Sequence, residues 1–443
     1  MQQKTLIGVC VLAVSFGAKA AQAGASPGEV MDAIYPSLDS LYIDLHQNPE
    51  LSLKEEKTAK KMADQLRTAG YEVTEGVGGL GVVGVLRNGA GPTVLFRTDM
   101  DALPVLEQTD LPFASKVMSV NQVGDTVPVM HACGHDAHMA AWLGAARVLS
   151  QSKDFWRGTL VFVAQPAEEV VYGAKAMVND GLFTRFPKPD FVLGIHVANT
   201  MPAGQIGVVA GPASAASDSI DITFFGRGGH GAMPNRTIDP IVIAARAVGA
   251  LQTIVSREVD PFDSAVVTIG TFHAGNKRNV IPDEAKIQLT VRSYKPEVQK
   301  KILASIERIA KGEAAAGGAT KEPLVTVVES ERAEVVVNDP MLAKRLLSTL
   351  KKQLGDESTR ASEPHMTSED FGILGSRAGA PSIQFQIGAV NPKIFADAKE
   401  VGRTMMLPGP HNSKFAPDRE GTIRAATNAF VFSAIELMPA GKQ

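Results

Sequence analysis

The feature that most constrains how this chain can fold is a change of rhythm in its middle. Between about 214 and 331 the sequence reads strand (Ser219 to Phe225), helix (Pro240 to Val255), strand (Ala265 to Phe272), strand (Ala285 to Ser293), helix (Pro296 to Ala315) and strand (Leu324 to Glu329). That β-α-β-β-α-β order is the ferredoxin-like motif. A self-contained module in mid-chain predicts an inserted lid or dimerisation domain at 214–331, with a larger α/β catalytic domain split into 24–213 and 332–443.

The flanking segments support that division. Pro27 opens a helix marked by Val30, Ile34, Leu38, Leu41 and Leu45, and Ser52 with Glu55 forms a capping-box pattern for a second helix that Gly70 ends. Short apolar runs at Val82 to Leu86, Thr93 to Arg97, Leu160 to Ala164, Phe191 to His196 and Ser382 to Gln386 read as buried strands. The stretches Ala137 to Leu149 and Gly421 to Leu437 read as helices. Helices alternating with such strands imply an α/β layer structure. The length of 443 residues fits two domains, because a single core stops growing near roughly 250 to 300 residues.

A formal charge of -3 without blocks of like charge argues against a nucleic-acid or membrane-surface partner and leaves small-molecule chemistry as the default. Residues 1–23 stand apart: Lys4, an apolar run from Leu6 to Phe16, and Ala21-Gln22-Ala23 before Gly24. This predicts a signal peptide cleaved after Ala23 and an exported, periplasmic or secreted protein with no membrane segment once cleaved. Cleavage removes Cys10 and leaves Cys133 without a partner in the chain, so its thiol is inert, paired with another molecule, reactive or bound to a metal.

Its neighbours favour the metal. His131-Ala132-Cys133-Gly134-His135-Asp136-Ala137-His138 sets one thiol, three imidazoles and a carboxylate where the chain enters a helix, and Gly134 lets the backbone bring Cys133 and His135 to one point. Glu168 and Glu169 follow a buried-strand pattern, His196 closes another, and Asp99 and Asp101 follow a third. Ligands of open α/β sheets bind at the carboxyl ends of strands, where adjacent acids can divide into a metal ligand and a base.

At this point the chain resembles the M20 metallopeptidases, and within them the amidohydrolase branch that cleaves N-acyl amino acids, hippurate and auxin conjugates. The matching motifs are Arg97 to Pro104, His131 to His138, Gln165 to Glu169, Gly194 to Val197, Gly228-Gly229-His230, Asn279 to Pro282, Ser368 to Phe371, and His411 with Phe415. The resemblance implies two divalent ions (Zn2+ or Mn2+, with Co2+ or Ni2+ as alternatives) held by Cys133, His135, Glu169, His196 and His411. It makes Glu168 the general base and puts Asp101 beside the centre to orient a ligand. It further implies that His230 reaches a neighbouring subunit's site in a homodimer joined through the inserted domain, and that Asn279 and Arg292 meet the substrate carboxylate. His138 would stand behind the ligands, while His46, His273 and His365 read as structural or solvent-facing. Val170-Val171-Tyr172 and Asn412 depart from the family pattern and bear on substrate preference. Three alternatives stay open: a dipeptidase or carboxypeptidase with the same binuclear centre, a thiol hydrolase using Cys133 as nucleophile, and a metal-binding module without catalysis.

Overall fold

Val94, Leu95 and Phe96 point to alternate sides of one strand and all are fully buried, which requires a sheet covered on both faces. The computed structural model describes residues 25–441 and has that arrangement. The expected leader, residues 1–23, lies outside the described residues. Eight strands form a mixed sheet in the order Glu72–Val77, Gly81–Asn88, Gly158–Gln165, Thr93–Asp99, Phe191–Pro202, Ser382–Val390, Ile206–Val208 and Thr359–Ala361. The four central strands, from Gly158–Gln165 to Ser382–Val390, run parallel, and antiparallel strands flank them. Helices Pro27–Gln47, His135–Gln151 and Arg419–Leu437 cover one face, in a core with Phe96, Trp142, Phe162 and Phe430. Phe371, Val163 and Leu374 belong to the core on the other face.

Strand Gly211–Ser214 pairs antiparallel with Val336–Asn338, and Ser217 and Ala333 exchange backbone hydrogen bonds of 3.0 Å in each direction. Between these crossings the chain builds a second, four-stranded antiparallel sheet in the order Ala265–Ala274, Glu284–Ser293, Ala216–Phe225, Leu324–Val327. Helices Pro240–Thr253 and Pro296–Ala316 pack on it around Ile222, Phe224, Leu251, Ile287 and Ile306, a core of its own.

Two readings of the sequence are corrected. His196 does not end its strand, which continues to Pro202; the apolar run stops there, but pairing with Ser382–Val390 goes on. Ser52 and Glu55 make no capping box, since Glu55 at the N-cap of helix Glu56–Thr68 forms no side-chain cap bond. Glu50 caps that helix instead, accepting from the backbone N–H groups of Lys57 (3.3 Å) and Thr58 (2.8 Å). The strands at 206–208, 211–214, 336–338 and 359–361 were not foreseen, being too short for a buried-strand signal, and helix Pro340–Leu354 was missed although Asp339, Pro340 and the apolar positions 342, 343, 346 and 350 mark it.

Candidate metal centre

Four segments deliver the clustered side chains. Gly134 adopts φ 84° between Cys133 and His135, and a Cβ there would stand 2.7 Å from Val197 Cγ2, so only glycine makes the turn. Ala167 adopts φ 52° before Glu168 and Glu169, and His411 adopts φ 70° with its N–H donating to Ala132 O at 2.7 Å. Left-handed backbone at non-glycine residues costs about 1–2 kcal/mol each and concentrates at functional sites.

The ligand atoms converge. Cys133 Sγ lies 3.5 Å from His196 Nε2; His135 Nε2 lies 3.8 Å from Glu169 Oε1 and 3.9 Å from Glu168 Oε2; His411 Nε2 lies 3.3 Å from Glu169 Oε2. Cys133, His135 and His196 form one set whose ligand atoms lie within 4.8 Å of one another, and Cys133, Glu169 and His411 form another. Cys133, His135 and Glu168 are buried, whereas the His411 side chain is 58% exposed and stands at the mouth.

These groups fit divalent cations. His135 Nε2 and Glu169 Oε1 are buried without any hydrogen-bond partner, which is costly unless another positive or donor group meets them. Burial opposes a charged imidazole, yet Asp99, Asp101 and Glu169 push His135 up to about 10; at His196 burial and the neighbouring His138 prevail and take it down to about 3. Burial, with Glu169 and Glu168 close by, holds the Cys133 thiol well above its ordinary range. A cation reverses these tendencies, deprotonating the thiol and displacing imidazole protons.

Around the ligands stands a layer of orienting groups. His135 Nδ1 donates to Asp101 O at 2.8 Å, which turns Nε2 toward the cluster. The Asp101 carboxylate accepts from the N–H of Glu169 (2.9 Å) and from Ser52 Oγ (2.7 Å) and lies 3.5 Å from His135 Nδ1, so Asp101 stands against both the Glu169 backbone and the His135 imidazole. His138 Nδ1 bonds Asp99 at 2.7 Å and its Nε2 accepts from Val197 N–H. Arg97, fully buried, bridges Asp99 (2.6 Å), Glu369 (2.9 Å) and Asp370 (3.1 Å). The sequence reading assigned Arg97 and Glu369-Asp370 no role, although an arginine inside an apolar strand run is itself a signal of buried pairing.

The inserted segment contributes differently. His230 lies on the short strand Gly229–His230, which pairs with Val280–Ile281, and Asn279 directly precedes the latter, with Gly231 N–H donating to Asn279 O at 2.9 Å; both are exposed, and His230 belongs to none of the clustered ligand sets among the described residues. Arg292 spans the two units, donating to Met366 O (3.2 Å) and Ser368 Oγ (2.9 Å) just before Glu369. His46 is buried between Asp136 and Glu107, His365 is half-buried, and His273 is exposed.

Residues 95–400 match the family model of peptidase family M20/M25/M40. The chain belongs to this family. Among its M20 relatives is thermostable carboxypeptidase 2 of Saccharolobus solfataricus, 38% identical over 88% of this chain and 93% of the relative. Another is the hippurate hydrolase of Campylobacter jejuni, 41% identical over 78% of this chain and 86% of that one. Among solved structures, the Bacillus subtilis YXEP protein, described as a dinuclear metal-binding peptidase of the M20 family, superposes with a TM-score of 0.74 at 30% identity, covering 92% of this chain and 99% of that one. As an M20 member with a ligand cluster of this kind, the chain is a metal-dependent hydrolase of amide bonds.

Proposed function

We propose that the chain hydrolyses the amide bond of N-acyl amino acids at a binuclear centre held by Cys133, His135, Glu169, His196 and His411, with Glu168 as general base. The observation that carries this is the position of Glu168. It is buried beside Glu169, 3.9 Å from a ligand imidazole, where a base could reach the proton of an attacking water, and burial, Glu369 and Glu169 hold its carboxyl above the usual range.

Zinc suits the thiolate, and manganese, cobalt or nickel would also suit the imidazole and carboxylate set. Bound divalent ions supply Lewis acidity, polarising a carbonyl oxygen and lowering the pKa of water from 15.7 to about 7. Glu168 takes the proton of the attacking water and returns it to the leaving amine. Asp101 steadies the backbone of Glu169, and His138 is steadied by Asp99. His230, brought by a second subunit of a homodimer joined through the ferredoxin-like lid at 214–331, donates to the developing oxyanion, and Asn279 and Arg292 receive the substrate carboxylate. For Arg292 this means exchanging its bonds to Met366 and Ser368 for the ligand. The composition of residues 1–23 supports export to the periplasm or beyond.

A carboxypeptidase or dipeptidase using the same centre is the second reading, favoured by the relative named a carboxypeptidase. Purified protein assayed against N-acyl amino acids and dipeptides, with metal content measured on the same sample, separates them. Turnover of N-acyl amino acids with about two metal ions per chain is expected. Hydrolysis of free dipeptides alone would replace the first reading with the second.

A further inference from the structure

The helix Glu56–Thr68 has its own capping acid within reach yet uses another. Substituting an N-cap side chain commonly costs about 0.5–2 kcal/mol, so a residue at that position whose carboxylate points elsewhere has another partner. For Glu55 that partner is remote in sequence: Oε1 accepts the N–H of Ala167 at 2.7 Å. Glu55 is fully buried, and its Oε2 has no hydrogen-bond partner. The turn that makes this reach possible is itself strained, with Leu53 at φ 67°. Glu50 meanwhile satisfies the two first-turn N–H groups that Glu55 and Ser52 leave open.

The bond falls at an unusual point of the chain. Ala167 is the left-handed residue immediately before Glu168 and Glu169, and the turn it opens closes on itself through Tyr172 N–H and Gly173 N–H, both donating to Ala167 O at 3.1 Å. Two carboxylates therefore hold alternate amides of one strained turn, Glu55 on Ala167 and Asp101 on Glu169. Ser52 fixes the second of them by donating to Asp101 at 2.7 Å. The residue between the two held amides is Glu168. An Ala167 amide without its acceptor would be buried and unpaired, and the left-handed conformation would lose the contact that offsets its cost.

We propose that Glu55 is a positioning residue of the metal centre, holding the 167–169 turn so that Glu168 and Glu169 face the bound ions. The inference rests on the proposed roles of Glu168 and Glu169. Burial and the neighbouring Asp101 push the Glu55 carboxyl up to about 8, so the side chain is close to a neutral acid at pH 7, and an amide is its natural substitute. Glu55→Gln keeps the acceptor oxygen, whereas Glu55→Met keeps length and helix propensity and removes it.

Three quantities are measured on full-length metal-loaded protein: metal affinity by competition with a chromophoric chelator, kcat and KM on an N-acyl amino acid, and melting temperature. For Glu55→Met, metal affinity and kcat are expected to fall by about 10- to 100-fold, as for other groups that orient metal ligands, with KM within a few-fold of the parent. Glu55→Gln is expected to recover most of both. A merely structural residue would lower the melting temperature and leave metal affinity and kcat untouched, and that result would overturn the proposal, as would a Glu55→Gln as damaged as Glu55→Met. Should Glu55→Met not fold, Glu55→Asp withdraws the oxygen by one methylene and keeps a carboxyl group; wild-type metal affinity in folded Glu55→Asp would equally overturn it. If the parent protein hydrolyses no N-acyl amino acid, the proposed function fails, and the metal-affinity comparison still decides the role of Glu55.

Discussion

His411 Nε2 stands 3.3 Å from Glu169 Oε2, joining the last part of the chain to the turn that carries the base. The other carboxylate oxygen of Glu169, Oε1, is buried without a partner, and the attraction between the two side chains is weak while His411 is largely solvated. A metal ion gives them a common partner, so the native state should gain what the ion loses on leaving.

Exhaustive chelation is therefore expected to abolish turnover and lower the melting temperature, with both restored by added zinc or manganese. An ion present at 100 times its dissociation constant stabilises the folded chain by about 2.7 kcal/mol. Differential scanning calorimetry of the stripped and reloaded protein checks this. Full activity in the stripped protein would favour Cys133 as a nucleophile.

Glu168→Gln separates base from ligand. The amide cannot take a proton, so kcat is expected to fall on the order of 10²- to 10⁴-fold, while metal content stays at the parent level. Loss of metal along with activity would place Glu168 among the ligands.

His46 offers a test by pH. Burial alone would disfavour its charged form, but hydrogen bonds to Asp136 and Glu107 outweigh this and raise it to about 10 from an ordinary 6.5. A folded value above the unfolded one gives stability that is complete below about pH 6.5 and lost as pH rises through about 10. The unfolding free-energy difference between the parent and His46→Gln, measured in urea, should be constant between about pH 5 and 6 and shrink between about 6.5 and 10. A difference that grew with pH would mean that His46 is neutral in the folded chain.

His230 tests the shared site. On the proposed shared site, neither Glu168→Gln nor His230→Ala homodimers should turn over N-acyl amino acids well, because each would lack one half of every site. Mixed dimers restore one complete site, so activity should reappear after subunit exchange. Continued inactivity in confirmed mixed dimers would place His230 in its own subunit's site or outside catalysis.

The side-chain cluster was legible in the sequence because much of it is local: Cys133, Gly134 and His135 are consecutive, and Glu168 and Glu169 follow a largely apolar strand. Period and composition also revealed the main helices and the buried strands. What stayed hidden depends on partners far away in sequence. Ser52 and Glu55 have the spacing of a capping box, and nothing local reveals that Asp101 and Ala167 compete for them and win. The extension of the strand past His196 was hidden for the same reason, since it depends on pairing with Ser382–Val390. Arg97 and Glu369 were quoted as motif residues, but only the fold brings a guanidinium onto acids 272 positions away.

The two-amide grip on the 167–169 turn has a consequence for how the protein matures. Its acceptors leave the ribosome early, at Glu55 and Asp101, and the last ligand, His411, comes more than 300 residues after the first acceptor. Contacts of such long sequence separation form slowly, because loop closure must come first. A chain not yet complete to His411 thus carries the Cys133, His135 and His196 group but lacks the Cys133, Glu169 and His411 group, so filling of the whole cluster becomes a signature of completed synthesis.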